Sequence, residues 1–275
     1  MADVAVPLVE MRGISKSYGG VRALNGVDLA VHRGEVHALV GDNAAGKSTL
    51  IKILAGAVPM DEGSIVFDGR EVRLRGPRDA KVLGIETVYQ DLALADNLDV
   101  PSNIFMGREL MRPGGRGPFL DLQRMEHEAR KLLARLKINV PEVRMPVRTM
   151  SGGQRQCVAI ARTVYFNAQV VILDEPTAAL GVQETEKVHA LVREMRSQGL
   201  AVLLVSHNLR HVLDLCDRIT VLKNGRLVGS RPASETDSEE ILRMIVSGEA
   251  APPRPRPPDS DPRPPDSVAY AAAGR

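Results

Sequence analysis

Gly41-Asp42-Asn43-Ala44-Ala45-Gly46-Lys47-Ser48-Thr49 decides how the rest of the chain is read. A glycine, four residues, a second glycine, a lysine and a hydroxyl residue is the spacing of a loop that wraps phosphate groups. Its flanks carry the matching periodicities. Glu35 to Val40 is a short, mostly apolar, β-capable run. Ser48 to Ala55 sets Leu50, Ile51 and Leu54 on one helical face, and Gly56 stands where that helix should stop. Strand, glycine loop, helix is the order that lets backbone N–H groups and the positive end of a helix converge on one phosphate. Lys47 adds a full charge near the terminal phosphates. The Ser48 hydroxyl is placed to hold the Mg²⁺ that a polyphosphate needs to offset its own charge.

Downstream, Val170 to Leu173 is β-branched and continuously apolar, as a strand buried on both faces should be. Asp174 and Glu175 end it and Pro176 stops it. Two adjacent carboxylates at such a place are costly unless something uses them. One can reach Mg²⁺ and the other can polarise a water for attack on a γ-phosphate. A helix over Glu184 to Ser197 follows, with Val188, Leu191, Val192 and Met195 inward. Leu200 to Val205 is a second buried strand, ending in Ser206-His207. Strand, helix, strand is the unit of a parallel sheet, and ligands gather at the carboxyl ends of its strands. Ile85 to Tyr89 adds another strand ahead of Gln90, whose amide oxygen can ligate Mg²⁺ or orient water, or simply belong to a polar loop. His207 at that edge is either structural or a donor to a γ-phosphate oxygen.

Met150-Ser151-Gly152-Gly153-Gln154 opens a helix carrying Cys157, Val158, Ala161 and Val164 on one period, and Ser151 and Gln154 have capping-box spacing. This is either simply a well-capped helix or one whose two glycines strip side chains from its entrance and leave the N–H groups ready for an anion. Tyr18, in Ser-Lys-Ser-Tyr-Gly-Gly, is an ordinary turn tyrosine or a platform for a flat base. Asn25-Gly26 reads as punctuation between strands, Asp68-Gly69 and Asn224-Gly225 as hairpin turns. Asp121 caps a helix with Leu122, Met125, Ala129, Leu132, Leu133 and Leu136 on its apolar face, and a last helix, about Ser238 to Val246, turns Ile241, Leu242 and Ile245 inward. Between them, Arg112 to Pro118 is a Gly/Pro loop.

Composition narrows the classes. At 275 residues, 44% apolar and 25% charged, the chain holds one sizeable globular unit. A net charge of +2, 3% aromatics and no Trp give no footprint for nucleic acid. Cys157 and Cys216 have neither metal nor disulfide spacing and pack as small core residues. The start, MADVAVPLVEM, shows no basic-then-apolar signal, and no apolar run approaches the ~18–20 residues of a membrane span. The expectation is a soluble, reduced, cytoplasmic chain whose membrane role, if any, comes through a partner. Eight of the 18 prolines lie between Pro252 and Pro265, so residues 250–275 read as an extended tail.

Together these pieces resemble the ATP-binding subunit of an ABC transporter, over about Val9 to Val246. Five motifs in order carry the likeness: the phosphate loop, Gln90, the signature Ser151-Gly152-Gly153-Gln154, the Asp174-Glu175 strand and the switch residue His207. The resemblance implies an α/β P-loop fold with a mainly parallel core sheet, an antiparallel β subdomain, and a helical subdomain inserted at about 91–165. Residues 1–249 would form the ATPase unit. It implies ATP and Mg²⁺ as cofactors and a head-to-tail pair, most simply a homodimer, in which each ATP lies between one subunit's phosphate loop and the other's signature helix. Tyr18 would stack on adenine; Glu175 would be general base; His207 would hold the γ-phosphate; Ser48, Gln90 and Asp174 would serve Mg²⁺. The helical subdomain would dock a permease at the cytoplasmic face of the membrane, fed by an extracytoplasmic solute-binding protein.

Within the family the chain is most similar to bacterial importers of ribose, xylose or fructose type. The clues are Ile85 to Asp91, Asn103 to Glu109, and Pro176-Thr177-Ala178-Ala179-Leu180-Gly181. Departures are Met150 for a Leu, Gly181 for an Asp, and Ala44 for a Gly, the last costing roughly 1 kcal/mol if its φ must be positive. Two rival readings are a regulatory protein acting on ribosomes or DNA and a catalytically weak nucleotide-binding module.

Overall fold

The computed structural model describes residues 6–112, 119–178 and 180–250. The expected Gly/Pro loop beyond Arg112, Ala179 of the Pro176–Gly181 motif, and all of the expected tail after Ala250 lie outside the described residues.

The chain opens with β1 (Val9–Tyr18) and β2 (Val21–Val31), then β3 (Val36–Gly41) and helix α1 (Lys47–Leu54). β4 (Glu62–Phe67) and β5 (Arg70–Val72) flank the Asp68-Gly69 turn; α2 (Pro77–Val82) and β6 (Ile85–Val88) follow. Then come α3 (Val100–Phe105), α4 (Leu122–Arg135) and α5 (Gly152–Tyr165). The remainder is β7 (Val170–Asp174), α6 (Val182–Ser197), β8 (Ala201–Val205), α7 (Leu209–Leu215), β9 (Arg218–Lys223), β10 (Arg226–Pro232) and α8 (Ser238–Ser247).

Two sheets result. β2-β1-β4-β5 is antiparallel; β10-β9-β3-β8-β7-β6 is parallel except for the edge hairpin of β10 on β9. The parallel sheet divides the apolar interior. Leu39, Ile172, Leu203 and Leu222 face α1 and the antiparallel sheet. Ala38, Val40, Val171, Leu173 and Leu204 face α3 to α6. Strands with a core on each face must be apolar on each face, which is why β7 and β8 read as unbroken hydrophobic runs.

The register aligns the strand ends. Leu39 pairs with Val205, Asp174 with Val205, and Val88 with Leu173. The segments leaving β3, β6, β7 and β8 therefore emerge along one edge, with the phosphate-type loop in their midst.

Three local expectations are corrected. Asn25-Gly26 does not end a strand: β2 runs through it, and the pairing of β1 with β2 is irregular there, with Gly13 at φ 61° and Gly26 at φ 65°. Leu122 is 58% exposed and Leu242 53% exposed, although both fit the apolar period. Leu122 is the first residue of α4, before the helix reaches its neighbours. On α8 the inward positions are Ile241, Met244 and Ile245.

Candidate nucleotide site

The loop after β3 is pinned from behind. The Ala45 N–H donates to the Asp42 carbonyl at 3.1 Å, and the Ala45 carbonyl accepts from Gly225, in the β9–β10 turn, at 3.1 Å. Gly225 in turn accepts from the Asn25 N–H at 2.8 Å, so the loop is tied to both sheets. Gly41 and Gly46 permit this seating. A methyl group on Gly41 would lie 2.2 Å from the Leu222 carbonyl oxygen, and one on Gly46 would lie 2.8 Å from that of Ala23.

Helix α1 starts at Gly46 with no side-chain cap and no acidic residue in its first turn. Helices α3, α4, α5, α7 and α8 start instead on Asp99, Asp121, Ser151, Asn208 and Asp237, each accepting a backbone N–H. Exposed donors at the positive end of a helix are a place for an anion from outside the chain. The Lys47 ammonium stands over the same loop, donating to the Gly41 carbonyl at 2.7 Å and the Asp42 carbonyl at 2.9 Å. Burial lowers the Lys47 pKa, against the opposing pull of Glu175, Asp42 and Asp174. Phosphate oxygens are better acceptors for that ammonium than neutral carbonyls.

Ala44 adopts φ 67°, the left-handed conformation in which an alanine is strained. Ala44→Gly should raise the unfolding free energy by about 1 kcal/mol, net of glycine's greater freedom in the unfolded chain. Urea titration checks this; an unchanged or lower midpoint counts against it.

The acidic end of β7 faces this loop. Burial and the neighbouring Glu175 raise the Asp174 pKa, and Lys47 and Lys52 oppose the rise. Glu175 sits at φ 51°, a strained geometry for a non-glycine residue, held by its N–H on the Val205 carbonyl at 2.9 Å and its own carbonyl on the Ala178 N–H at 3.1 Å. Its Oε1 is 2.9 Å from Nδ1 of His207, just past β8. The His207 side chain is 75% exposed, so most of the ring is open toward whatever occupies the edge. Gln90 is exposed immediately beyond β6. Tyr89 beside it has its phenol pushed up by burial and by the charge of Asp174. Tyr18 ends β1, 48% exposed, with Lys16 Nζ 5.8 Å from its ring centre.

Ser151 to Gln154 lie elsewhere. They open α5 with a reciprocal capping box: Ser151 Oγ accepts from the Gln154 N–H at 3.3 Å, and Gln154 Oε1 accepts from the Ser151 N–H at 3.0 Å. The fold thus gathers Gly41 to Thr49, Gln90, Asp174, Glu175 and His207 along one edge of one chain, while Ser151 to Gln154 belong to the helical arm. Glu184 escaped the sequence reading as a functional candidate. Its carboxylate faces the first turn of α5, and the only sequence signal was an acidic residue at the start of a helix.

These features have known counterparts. The sequence profile of the family described as "ABC transporter" matches residues 24–178. The "Xylose/arabinose import ATP-binding protein XylG" of Sulfolobus acidocaldarius is 47% identical over 87% of this chain and 94% of its own length. The "Fructose import ATP-binding protein FrcA" of Rhizobium meliloti is 44% identical over 90% of this chain and 96% of its own. Against the "Ribose import ATP-binding protein RbsA 1" of Streptomyces avermitilis the identity is 44% over 91% of this chain, which spans 47% of that protein. In three dimensions, a nucleotide-free ATP-binding cassette from an ABC transporter superposes with a TM-score of 0.75 at 25% identity, covering 88% of this chain and 96% of that one. With the sequence likeness, the parallel sheet and the phosphate-type loop in agreement, the chain belongs to the ABC transporter family.

Proposed function

We propose that this chain is the ATP-hydrolysing subunit of an importer for a small solute, most simply a monosaccharide. The observation that carries the reading is the Glu175–His207 pair, 2.9 Å apart, on the same strand edge as the Lys47 ammonium. A base, a γ-phosphate donor and a phosphate-chain cation are what hydrolysis of a triphosphate needs.

In this reading Tyr18 stacks on adenine and Gly41 to Thr49 cradle the phosphates. Glu175 takes the proton of the attacking water as the terminal P–O bond breaks. His207 donates to the γ-phosphate. Mg²⁺, when bound, offsets charge on the phosphate oxygens, and Ser48, Gln90 and Asp174 are the residues to hold it. Asp174 is the one carboxylate among them, which suits an ion that keeps waters and phosphate oxygens as its other ligands.

The signature residues Ser151 to Gln154 serve the ATP of a second copy, paired head to tail. A cleft of about 460 Å³ separates the parallel sheet from the helical arm and supports a docking role for a permease. Tyr89, Met106, Arg108 and Arg162 are among its lining. Arg108 is held at 3.0 Å by Glu86 and stacks 4.3 Å from the centre of the Phe166 ring, and Arg162 ties down the segment after Gln90 through the carbonyls of Ala93 and Leu92. Closure of the pair would thereby move the cleft and the permease with it. Among the described residues no helix is long and apolar enough to cross a membrane. On its likeness to import ATP-binding proteins we assign the chain to the cytoplasmic face, attached through the permease, with an extracytoplasmic solute-binding protein delivering cargo. Residues 1–249 form the ATPase unit and about 91–165 its helical arm.

Sugar cargo rests on the names of the relatives. The test is uptake of xylose, ribose and fructose into vesicles holding this chain with its cognate permease. ATP-dependent uptake of one of them is expected; uptake that persists with Lys47→Ala would overturn the assignment.

A further inference from the structure

The first turn of α5 already holds an anion, supplied by the same chain. Glu184, the third residue of α6, lies directly across from it. A methyl group on Gly153 would come 2.7 Å from Glu184 Cβ, and one on Gly152 would come 3.7 Å from Glu184 Oε2. Bare glycines here admit a neighbouring side chain as well as an approaching ligand. The Glu184 carboxylate lies against that turn, with the Gly181 N–H at 3.5 Å from its Oε2, and the Ser151 hydroxyl and Gly153 N–H beside it hold it below the usual carboxylate range. Lys187 adds a weaker pull in the same direction.

Ser151 and Gly153 are the donors that the proposed pairing offers to the second copy's triphosphate. A serine hydroxyl has one proton and a backbone amide has one, so neither can serve two acceptors at full strength. A carboxylate left beside an incoming phosphate also repels it, and more so as closure excludes water.

We propose that Glu184 is a built-in competitor for the partner's ATP: in the separate subunit its carboxylate engages Ser151 and Gly153, and closure of the pair requires it to release them. This rests on the head-to-tail reading above and deepens it. The contact satisfies the signature helix while no nucleotide faces it, and it raises the ATP concentration at which two subunits close. Because Glu184 lies three residues beyond Gly181, its release also frees the start of α6, which is joined through residues 176–180 to Glu175, just past the end of β7.

The test uses the full chain carrying Glu175→Gln, which should bind ATP without turning it over, with dimer formation followed by analytical ultracentrifugation against ATP concentration. Adding Glu184→Gln keeps the side chain's size and removes its charge. The expected result is a three- to ten-fold lower ATP concentration for half-maximal dimer, with nucleotide affinity of the monomer unchanged. An equal or higher requirement overturns the proposal. Should Glu184→Gln not fold, Glu184→Asp carries the same test, since it withdraws the carboxylate by one methylene, and the same two outcomes decide. If Glu175→Gln alone never pairs in ATP, the head-to-tail reading itself fails; pairing that ignores position 184 sinks only this inference.

Discussion

Glu175→Gln is expected to lower ATP turnover by about 10²–10⁴-fold, the range a positioned general base contributes. The substitution keeps the shape of the side chain and an oxygen able to accept from His207, but removes the basic oxygen. Backbone position should survive, because Glu175 is fixed by main-chain bonds to Val205 and Ala178 rather than by its carboxylate. The electrostatic side effects run in a helpful direction. Asp174 loses a like charge that raises its pKa, so it is more fully ionised, and more available to Mg²⁺, in the variant. Lys47 loses an opposing charge, yet Asp42 and Asp174 remain to keep it protonated. Nucleotide should therefore still bind while the chemical step stalls, and ATP-bound pairs should accumulate. Single-turnover hydrolysis measured with quantified bound nucleotide separates the two. A rate within ten-fold of the parent, at full occupancy, would remove Glu175 from the role of base.

How legible this was in the sequence depends on the type of constraint. The phosphate-type loop, β7, β8 and the capping box at Ser151 were legible because each is dictated by neighbours in the chain: glycine spacing, a run of β-branched residues, a hydroxyl three residues before an amide. Leu122 and Leu242 were misassigned because a helical period says which residues share a face, not where along the helix the packing partner ends. Asn25-Gly26 has turn chemistry, but within β2 it accommodates an irregular register with β1, and only the pairing discloses that. The short helices α2, α3 and α7 are six or seven residues long, too brief to establish a period. Glu184 shows the deepest limit. Its proximity to Gly153 is made by the packing of α6 on α5, and no local pattern encodes a contact across 31 positions. The strain at Ala44 was conditional in the sequence, since it hinged on the sign of one dihedral angle; at φ 67° the condition is met.

Gly41→Ala should weaken nucleotide binding by at least 100-fold while costing the fold only about 1–3 kcal/mol. Gly41 is the last residue of β3, opposite Leu222 of β9 in parallel register. Its φ of 151° lies in a region that side-chain-bearing residues rarely enter, and an added methyl group would sit 2.2 Å from the Leu222 carbonyl oxygen. Something must move. β9 is held on one side by β3 and on the other by β10, and Ile219, Val221 and Leu222 on it are fully buried, so it is the rigid partner. The loop from Asp42 to Gly46 is the compliant one, tied mainly through Ala45 to Gly225. Relief of the clash therefore displaces the loop that presents Lys47 and the start of α1. Loss of binding requires only that several donors miss the phosphates by about an ångström, since misplacement of that size is enough to undo a preorganised constellation. Isothermal titration with ADP and ATP, alongside urea unfolding of the same protein, reads both quantities. A variant that binds nucleotide within five-fold of the parent, or one that loses stability and affinity in equal measure, would show that β9 yields and that the loop's position is not set by this contact.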